Sequence, residues 1–98
     1  MNWRVKLTNQ AEKDLKHWGK TNTKIFRKCL EILQELEVEP TNLETIGQPE
    51  WLKGNLSGCI SRRITQIDRC VYQVLKEERI IKVLQMRFHY KGLDRITG

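Results

Sequence analysis

The chain has 98 residues, of which 39% are hydrophobic and 31% are charged. This length allows one hydrophobic core, excludes a large multi-site enzyme, and predicts a single domain over residues 1–98. No apolar run approaches the roughly 18 residues that a membrane span needs, and the N-terminus lacks the charged-then-apolar layout of a secretory signal. We therefore expect a cytoplasmic protein with no membrane partner.

The positive charge lies mainly in the second half of the chain. Residues 1–49 carry 8 Lys and Arg against 7 Asp and Glu, whereas residues 50–98 carry 10 against 5. Many of the bases in the second half are arginines, whose planar guanidinium gives phosphate paired hydrogen bonds. A polyanion is the expected partner, and a basic face that only aids solubility is the alternative.

The first half of the chain predicts one strand and two helices. Trp3, Val5 and Leu7 alternate with polar residues, which is the pattern of a half-buried strand. Asn9 resembles a helix cap, and helical spacing then continues over about residues 10–18 until Gly19. Asn22 is the predicted cap of a longer helix over about residues 22–37, with an apolar stripe formed by Ile25, Cys29, Ile32, Leu33 and Leu36. Its charged residues Lys24, Lys28, Glu31 and Glu35 are expected to face water.

The second half predicts a four-stranded antiparallel meander. Residues 40–49 are loop-like, and four short strands follow at Trp51 to Leu56, Cys59 to Thr65, Arg69 to Leu75 and Arg79 to Phe88. Their connections are too short for parallel crossovers. The predicted fold class is α+β: an N-terminal strand, two helices, and a meander that completes one sheet. The polar tail 91–98 is expected to fray.

Alternation sorts the residues of the meander between two faces. Ser61, Arg63 and Thr65 share one face of their strand, as do Gln85, Arg87 and His89 of the last strand. The opposite positions are apolar and suit the helix stripes: Ile60, Ile64, Leu84, Met86 and Phe88. The pattern predicts a sheet covered by helices on one face and open and basic on the other. Arg62 falls on the apolar side, where we expect it to reach the sheet edge or pair with an acid.

The cysteines give no sign of a metal site. Cys29, Cys59 and Cys70 are odd in number, widely spaced and without zinc-like spacing, so we expect core thiols, no metal and no cofactor.

The basic face carries the groups that RNA cleavage needs. The ribose 2′-OH must lose a proton, the 5′ oxygen must gain one, and the negative charge on phosphorus oxygens must be stabilised by fixed cations. One carboxylate, one imidazole and two guanidiniums suffice, and Glu50, His89, Arg63 and Arg69 supply them. Spacing alone is weak support, because many basic domains contain these residue types.

A longer set of motifs narrows the interpretation. The stretch GQPEWLKGNLSGCISRRITQIDRCVYQV, followed by MRFHY, resembles the YoeB/Txe family of toxin–antitoxin modules in the RelE superfamily, with its PExLKxxLxGxxSRRI, RxVY and HY signatures in order. The likeness runs from Trp3 to Tyr90. It implies a RelE-like, microbial-RNase-like fold and an mRNA endonuclease that acts in the ribosomal A site.

The resemblance also assigns roles to single residues. Glu50 matches the family's proposed general base and His89 its general acid, while Arg63 and Arg69 match the arginines that stabilise phosphate charge. Lys53 and the catalytic-site hydroxyl of Tyr90 match supporting positions. Arg87 is a further predicted phosphate-binding cation on the basic face. Cys59 and Ile60 stand where the family often has aromatic residues, and Phe88 replaces a common Tyr.

The implied partners are a YefM-like antitoxin whose C-terminal segment folds on binding, the ribosome with its mRNA, and operator DNA only through the antitoxin complex. A homodimer is left open. Two other functions remain as alternatives: a non-catalytic toxin that resembles the ParE branch and acts on DNA gyrase, and an antitoxin-binding co-repressor. Neither alternative needs the Glu50 and His89 pair.

Overall fold

The computed structural model describes residues 2–89, so Tyr90 and the tail 91–98 lie outside the described residues. Two helices and five strands follow one another along the chain: β1 (Arg4–Leu7), α1 (Asn9–Thr21), α2 (Thr23–Leu36), β2 (Glu50–Trp51), β3 (Cys59–Arg63), β4 (Arg69–Leu75) and β5 (Ile80–Gln85). No helix between residues 2 and 89 is both long and apolar enough to cross a membrane.

The five strands form one mixed sheet in the order β1-β5-β4-β3-β2. Strands β2 to β5 pair antiparallel with their sequence neighbours, which confirms the meander and the α+β fold class. Strand β1 pairs parallel with β5 at one edge of the sheet. This parallel pairing needs a long connection, and both helices and strands β2 to β4 lie between β1 and β5 in the chain.

Side-chain caps set the start of both helices. The Thr8 hydroxyl accepts a hydrogen bond from the Ala11 amide at 3.1 Å, so Thr8 is the N-cap of α1 and the prediction of Asn9 was wrong. Helix α1 also continues through Gly19 to Thr21. Asn22 caps α2 as predicted, its side chain accepting from the Ile25 amide.

The helices cover one face of the sheet and form the main core with it. Cys29, Ile32 and Leu36 of α2 are fully buried against strand residues that include Ile60 and Tyr72. The predicted stripe of α2 is therefore confirmed, and burial of this apolar area is the main source of stability.

Strand β5 departs from the predicted alternation. It ends at Gln85, and the pairing with β4 shifts between Val71 and Tyr72, so that Val83 pairs with Tyr72 and Gln85 with Val71. Leu84 is the extra residue of this β-bulge and packs on the face away from the helices. Met86 is buried in the main core as expected. Leu84 lies on the opposite face and Phe88, beyond the end of β5, is 54% exposed, so neither packs against the helices and both of these predictions were wrong.

The face away from the helices is not entirely open. The segment predicted as a strand from Trp51 to Leu56 contributes only the two residues of β2 and then a short 3₁₀ turn over Gly54–Leu56. This turn places Leu52 and Leu56 over the sheet, where they pack with Cys59, Val71 and Leu84. The apolar side chains thus cover part of this face, and the paired Arg63 and Arg69 lie at one end of it.

The three cysteines are buried free thiols, as predicted. Burial raises the pKa of Cys29 to about 12 and also raises the pKa values of Cys59 and Cys70. All three are therefore protonated at neutral pH and behave as small apolar side chains.

Arg62 is completely buried and pairs with an acid, which was one of the two alternatives predicted for it. Its Nη1 lies 3.1 Å from Glu35 Oε1, so Glu35 does not simply face water as the helix pattern suggested. The guanidinium also donates to Tyr72 Oη at 3.0 Å and to the carbonyl oxygens of Glu39 and Ile46 at 3.4 Å. Tyr72 Oη in turn donates to the Pro40 carbonyl at 2.7 Å. This buried cluster fastens the long loop between α2 and β2 to the sheet.

Candidate active site

A polar cleft of about 610 Å³ lies where the loop before β2 meets the ends of β3 and β4. Ten of the residues between 2 and 89 line it: Leu43, Glu44, Thr45, Gln48, Pro49, Glu50, Ser61, Arg63, Arg69 and His89. Glu50, Arg63, Arg69 and His89, which come from four separate parts of the sequence, are therefore brought together. This grouping places a carboxylate, an imidazole and two guanidiniums around one cavity.

Strand register explains the positions of three of these four side chains. Glu50 of β2 pairs with Ser61 of β3, and Arg63 lies two residues further along β3 on the same face. Arg63 pairs directly with Arg69 of β4. Two like charges directly opposite each other destabilise an antiparallel pair unless an anion lies between them. The geometry is therefore suited to a bound phosphate.

The guanidinium of Arg69 is fixed by the turn that precedes it. Its Nη1 donates to the carbonyl oxygens of Thr65, Gln66 and Asp68 at 2.9, 3.2 and 3.0 Å. All three bonds use Nη1, so none of them occupies the Nε and Nη2 donors. Arg69 can thus hold an anion with little loss of side-chain freedom on binding.

His89 enters the cleft from a tightly held segment after β5. Phe88 has a positive φ of 67°, which an L-residue adopts only when its surroundings enforce it. The Gln85 side-chain amide donates to the carbonyl oxygens of Arg87 and Phe88 at 2.8 and 2.9 Å, and the Asp68 carboxylate accepts from the Phe88 amide at 2.8 Å. The path of the chain up to His89 is therefore fixed by side chains of β5 and of the β3–β4 turn.

Helix α1 holds the beginning of the same segment. Asp14 and Trp18 are one helical turn apart and both buried. Asp14 Oδ2 accepts from the Met86 amide at 3.0 Å, and Trp18 Nε1 donates to the Met86 carbonyl at 2.8 Å. Both backbone groups of Met86 are thus satisfied by one helix, which anchors the segment from inside the core.

The wall of the cleft nearest β2 depends on two residues with positive φ. Gly47 has φ 86° and Gln48 has φ 48°. A Cβ on Gly47 would lie 3.0 Å from Arg62 Cβ and 3.1 Å from the Arg63 carbonyl oxygen, so a larger residue would force the loop away from β3. The Gly47 carbonyl accepts from the Arg63 amide at 2.6 Å and continues the sheet pairing into the loop.

Two other predicted site residues, Lys53 and Arg87, are not among the described residues that line the cleft. Lys53 is exposed at the start of the 3₁₀ turn. Arg87 stacks over the Phe88 ring at 4.5 Å and the Trp18 ring at 6.0 Å. Tyr90 falls outside the described residues. Cys59 and Ile60 are both buried and do not line the cleft, so their difference from the family pattern does not alter its surface.

Sequence reasoning missed several residues that shape the site. Glu44 adds a second carboxylate to the cleft, but it lies in a loop without periodicity and gave no local signal. Asp14, Asp68 and Gln85 act from behind the cleft through backbone atoms of residues 86–88. The one available sign was Asp14, which lies among the apolar residues of an amphipathic helix. A carboxylate buried there needs a hydrogen-bond partner. In residues 2–89, no three His, Cys, Asp or Glu side chains come together as a metal site would require.

Known proteins with related sequences and folds share this architecture. Residues 7–90 match the family model of the YoeB-like toxin of bacterial type II toxin–antitoxin systems. A Toxin YoeB from Streptomyces coelicolor is 32% identical over 87 residues, which cover 89% of this chain and 99% of the relative.

Two solved structures from Staphylococcus aureus are also similar. A YoeB–YefM complex has a TM-score of 0.75 and 36% identity, and a YoeB dimer has a TM-score of 0.77 and 34% identity. Each comparison covers 92% of this chain and 100% of the other. The match of the family model over most of the chain, together with these likenesses, shows that the chain belongs to the YoeB-like toxins of bacterial type II toxin–antitoxin systems.

Proposed function

We propose that this toxin is an endoribonuclease that cuts mRNA on the ribosome and thereby inhibits translation. The observation that carries the proposal is the Arg63 and Arg69 pair, held directly opposite each other in a cleft that also contains Glu50 and His89. Two opposed cations beside one base and one acid suit a phosphodiester whose charge increases in the transition state.

The reaction uses the 2′-OH next to the scissile phosphate as nucleophile. Glu50, ionised, takes the proton of the 2′-OH as the oxygen attacks phosphorus, and His89, protonated, gives a proton to the departing 5′ oxygen. The new P–O2′ bond replaces the P–O5′ bond, which leaves a 2′,3′-cyclic phosphate and a free 5′-OH. Arg63 and Arg69 neutralise the phosphorane oxygens. Side chains move both protons, so this scheme requires no cofactor.

Supporting roles are proposed for three further residues. Lys53 and Arg87 add positive charge outside the cleft lining for the flanking RNA backbone, and the Tyr90 hydroxyl assists at the reacting phosphate, as the family resemblance implies. The cleft has few groups that could read a base. We therefore infer that the ribosomal A site presents and orients the message, and that the toxin acts in the cytoplasm.

The proposed regulator is a YefM-like antitoxin. One similar structure from Staphylococcus aureus is a YoeB–YefM complex and another from that species is a YoeB dimer, so we propose both an antitoxin complex and a homodimer for this chain. Contact with operator DNA would occur through the antitoxin complex. An acidic and apolar antitoxin segment suits the basic second half of the toxin.

Primer extension on translated and untranslated copies of one message tests the proposal. Induced wild-type toxin should cut only the translated copy, and the products should carry a 5′-OH. Equal cutting of naked and ribosome-bound RNA at low toxin concentration would contradict ribosome dependence.

Two isosteric variants test the acid–base assignment. Glu50→Gln and His89→Gln keep shape and most hydrogen bonding but cannot transfer the proton, so each should lose roughly 10²–10⁴-fold in single-turnover cleavage on programmed ribosomes. Ribosome binding should stay near the wild-type level. If both variants cut at the wild-type rate, the chemistry is not that of Glu50 and His89, and the ParE-like or co-repressor function becomes the better account.

A further inference from the structure

A second cavity, of about 400 Å³, adjoins the cleft and shares part of its lining. Six residues line it: Lys28, Gly47, Gln48, Arg63, Thr65 and Gln66. It shares Arg63 and Gln48 with the cleft, so the two cavities are neighbours that both border these side chains. Because Arg63 borders both cavities, a strand bound against it in the cleft lies next to the second cavity.

The two cavities differ in charge. The cleft holds Glu44 and Glu50 beside its cations, whereas the described residues that line the second cavity include two cations and no acidic side chain. Lys28 lines the cavity and comes from α2, so a rigid element presents this half-buried side chain. A surface with this charge suits an anion.

Most of the backbone around the cavity is held in place before any ligand binds. The Thr65 hydroxyl is engaged in the β3–β4 turn, where it donates to Asp68 Oδ2 at 2.7 Å and accepts from the amides of Ile67 and Asp68. The Gly47 carbonyl is bonded to the Arg63 amide. The groups left to meet a ligand are thus the side chains of Lys28, Gln48 and Gln66 together with Arg63.

We propose that this cavity is a subsite for the phosphate that neighbours the scissile phosphate in single-stranded RNA, with Lys28 as its main cation. The inference rests on the proposed endoribonuclease function, because it takes the cleft as the place of the scissile bond. Arg63 then lies between two successive phosphates. Lysine acts as a point charge that accepts many phosphate orientations, so the subsite positions the strand without reading its sequence.

A ladder of short 2′-O-methyl RNA oligonucleotides tests the subsite by direct binding. The 2′-O-methyl group removes the nucleophile, so the probe cannot be cut. The ladder is lengthened by one nucleotide at a time, separately at the 5′ and 3′ ends, and binding is measured by fluorescence anisotropy at several salt concentrations. Wild-type toxin should gain affinity when a phosphate is added on one side of the central linkage.

The decisive comparison is between two lysines of α2. Lys28→Ala should remove that gain, weakening the longer probe by about two- to fivefold, the size of one exposed ion pair, while the shortest probe binds as before. The slope of log affinity against log salt should fall by about 0.7, as for one phosphate contact on a single strand. Lys24→Ala makes the same charge change one helical turn earlier, outside the cavity lining, and should match wild type.

The remaining outcomes overturn the subsite and are separate from a failure of the proposed function. Equal binding of all probes by wild type and Lys28→Ala, or no binding of any probe, refutes it. If Lys28→Ala weakens only the antitoxin complex, the cavity holds an acidic protein segment instead. A toxin that shows the length-dependent gain but cuts no translated message would retain the subsite and lose the proposed reaction.

Discussion

Arg62 shows how one buried charge can organise a site that it does not touch. Its guanidinium satisfies two carbonyl oxygens of the loop between α2 and β2, and the outer side of that loop forms one wall of the cleft. Glu35 supplies the counter-charge and is 21% exposed, whereas Arg62 is not exposed at all. An ion pair of this kind contributes little net stability as a pair, but it is costly to break from one side.

A stability measurement on α2 tests this role. Glu35→Gln should lower the free energy of unfolding by about 3 kcal/mol, because it leaves the buried guanidinium of Arg62 without its counter-charge. Glu31→Gln makes the same change one turn earlier at an exposed position and should alter it by less than about 0.5 kcal/mol. Urea denaturation of both variants measures the difference, and equal values would refute the role of the pair.

At the scale of elements, the site depends on a segment that belongs to no strand. Residues 86–88 are held by α1 through Asp14 and Trp18, by β5 through Gln85, and by the β3–β4 turn through Asp68. These contacts impose the positive φ of Phe88 and thereby fix the path of the chain into His89.

Gln85→Met tests whether this segment positions His89. The variant keeps the size of the side chain but removes two hydrogen bonds, so we expect an unfolding free energy lower by about 1–2 kcal/mol. Single-turnover cleavage should slow by about tenfold or more, since small displacements of a catalytic group are costly. Gln73→Met is the control. Gln73 lies on the same face of the sheet as Gln85 but pairs with Cys59 and Lys82.

Amide hydrogen exchange separates local loosening of the segment from global unfolding. Exchange in Gln85→Met should accelerate at residues 86–89 well before it does in the core strands. Uniform acceleration, or a rate of cleavage equal to that of Gln73→Met, would mean that Gln85 has no positioning role.

At the scale of the whole molecule, burial of the Tyr72 phenol and the Cys29 thiol predicts that the folded state loses stability at high pH. Burial raises the pKa of Tyr72 from its ordinary 10.0 to about 12, although the hydrogen bond from Arg62 lowers it, and burial raises that of Cys29 from 9.0 to about 12. The folded state therefore holds these protons more tightly than the unfolded state. The resulting stability is full below about pH 9 and is lost as the pH rises toward 12.

Thermal or urea unfolding across pH 7–11 under reducing conditions measures this loss. The midpoint should fall above about pH 9, and Tyr72→Phe should reduce the steepness of the fall between pH 10 and 11 because one of the groups is gone. A midpoint that stays constant to pH 11 would contradict the prediction.

The uneven charge of the chain leads to a prediction about association with the proposed antitoxin. The second half carries twice as many basic as acidic residues. An acidic antitoxin segment should therefore be steered toward it, and the association rate constant should fall as salt rises from low to physiological concentration, with a smaller change in dissociation. Stopped-flow measurements check this, and an association rate that does not depend on salt would exclude steering.

The sequence by itself determined what depends on neighbouring residues. Alternation over Trp3 to Leu7 and the stripe of α2 predicted the strand and the helix, because periods of two and 3.6 decide which side chains share a face. Short connections were enough to predict the antiparallel meander. The ordered motifs around Glu50, Arg63 and His89 were enough to indicate the family.

Only the tertiary structure decided the features that join distant segments. The parallel pairing of β1 with β5, the bulge at Leu84 and the Arg62–Glu35 pair each depend on contacts between residues far apart in the chain, and no local pattern encodes them. The cleft arises in the same way. Its carboxylate, imidazole and guanidiniums meet because strand register and a buried cluster bring four segments together, and register is set by packing of the whole sheet rather than by any one strand.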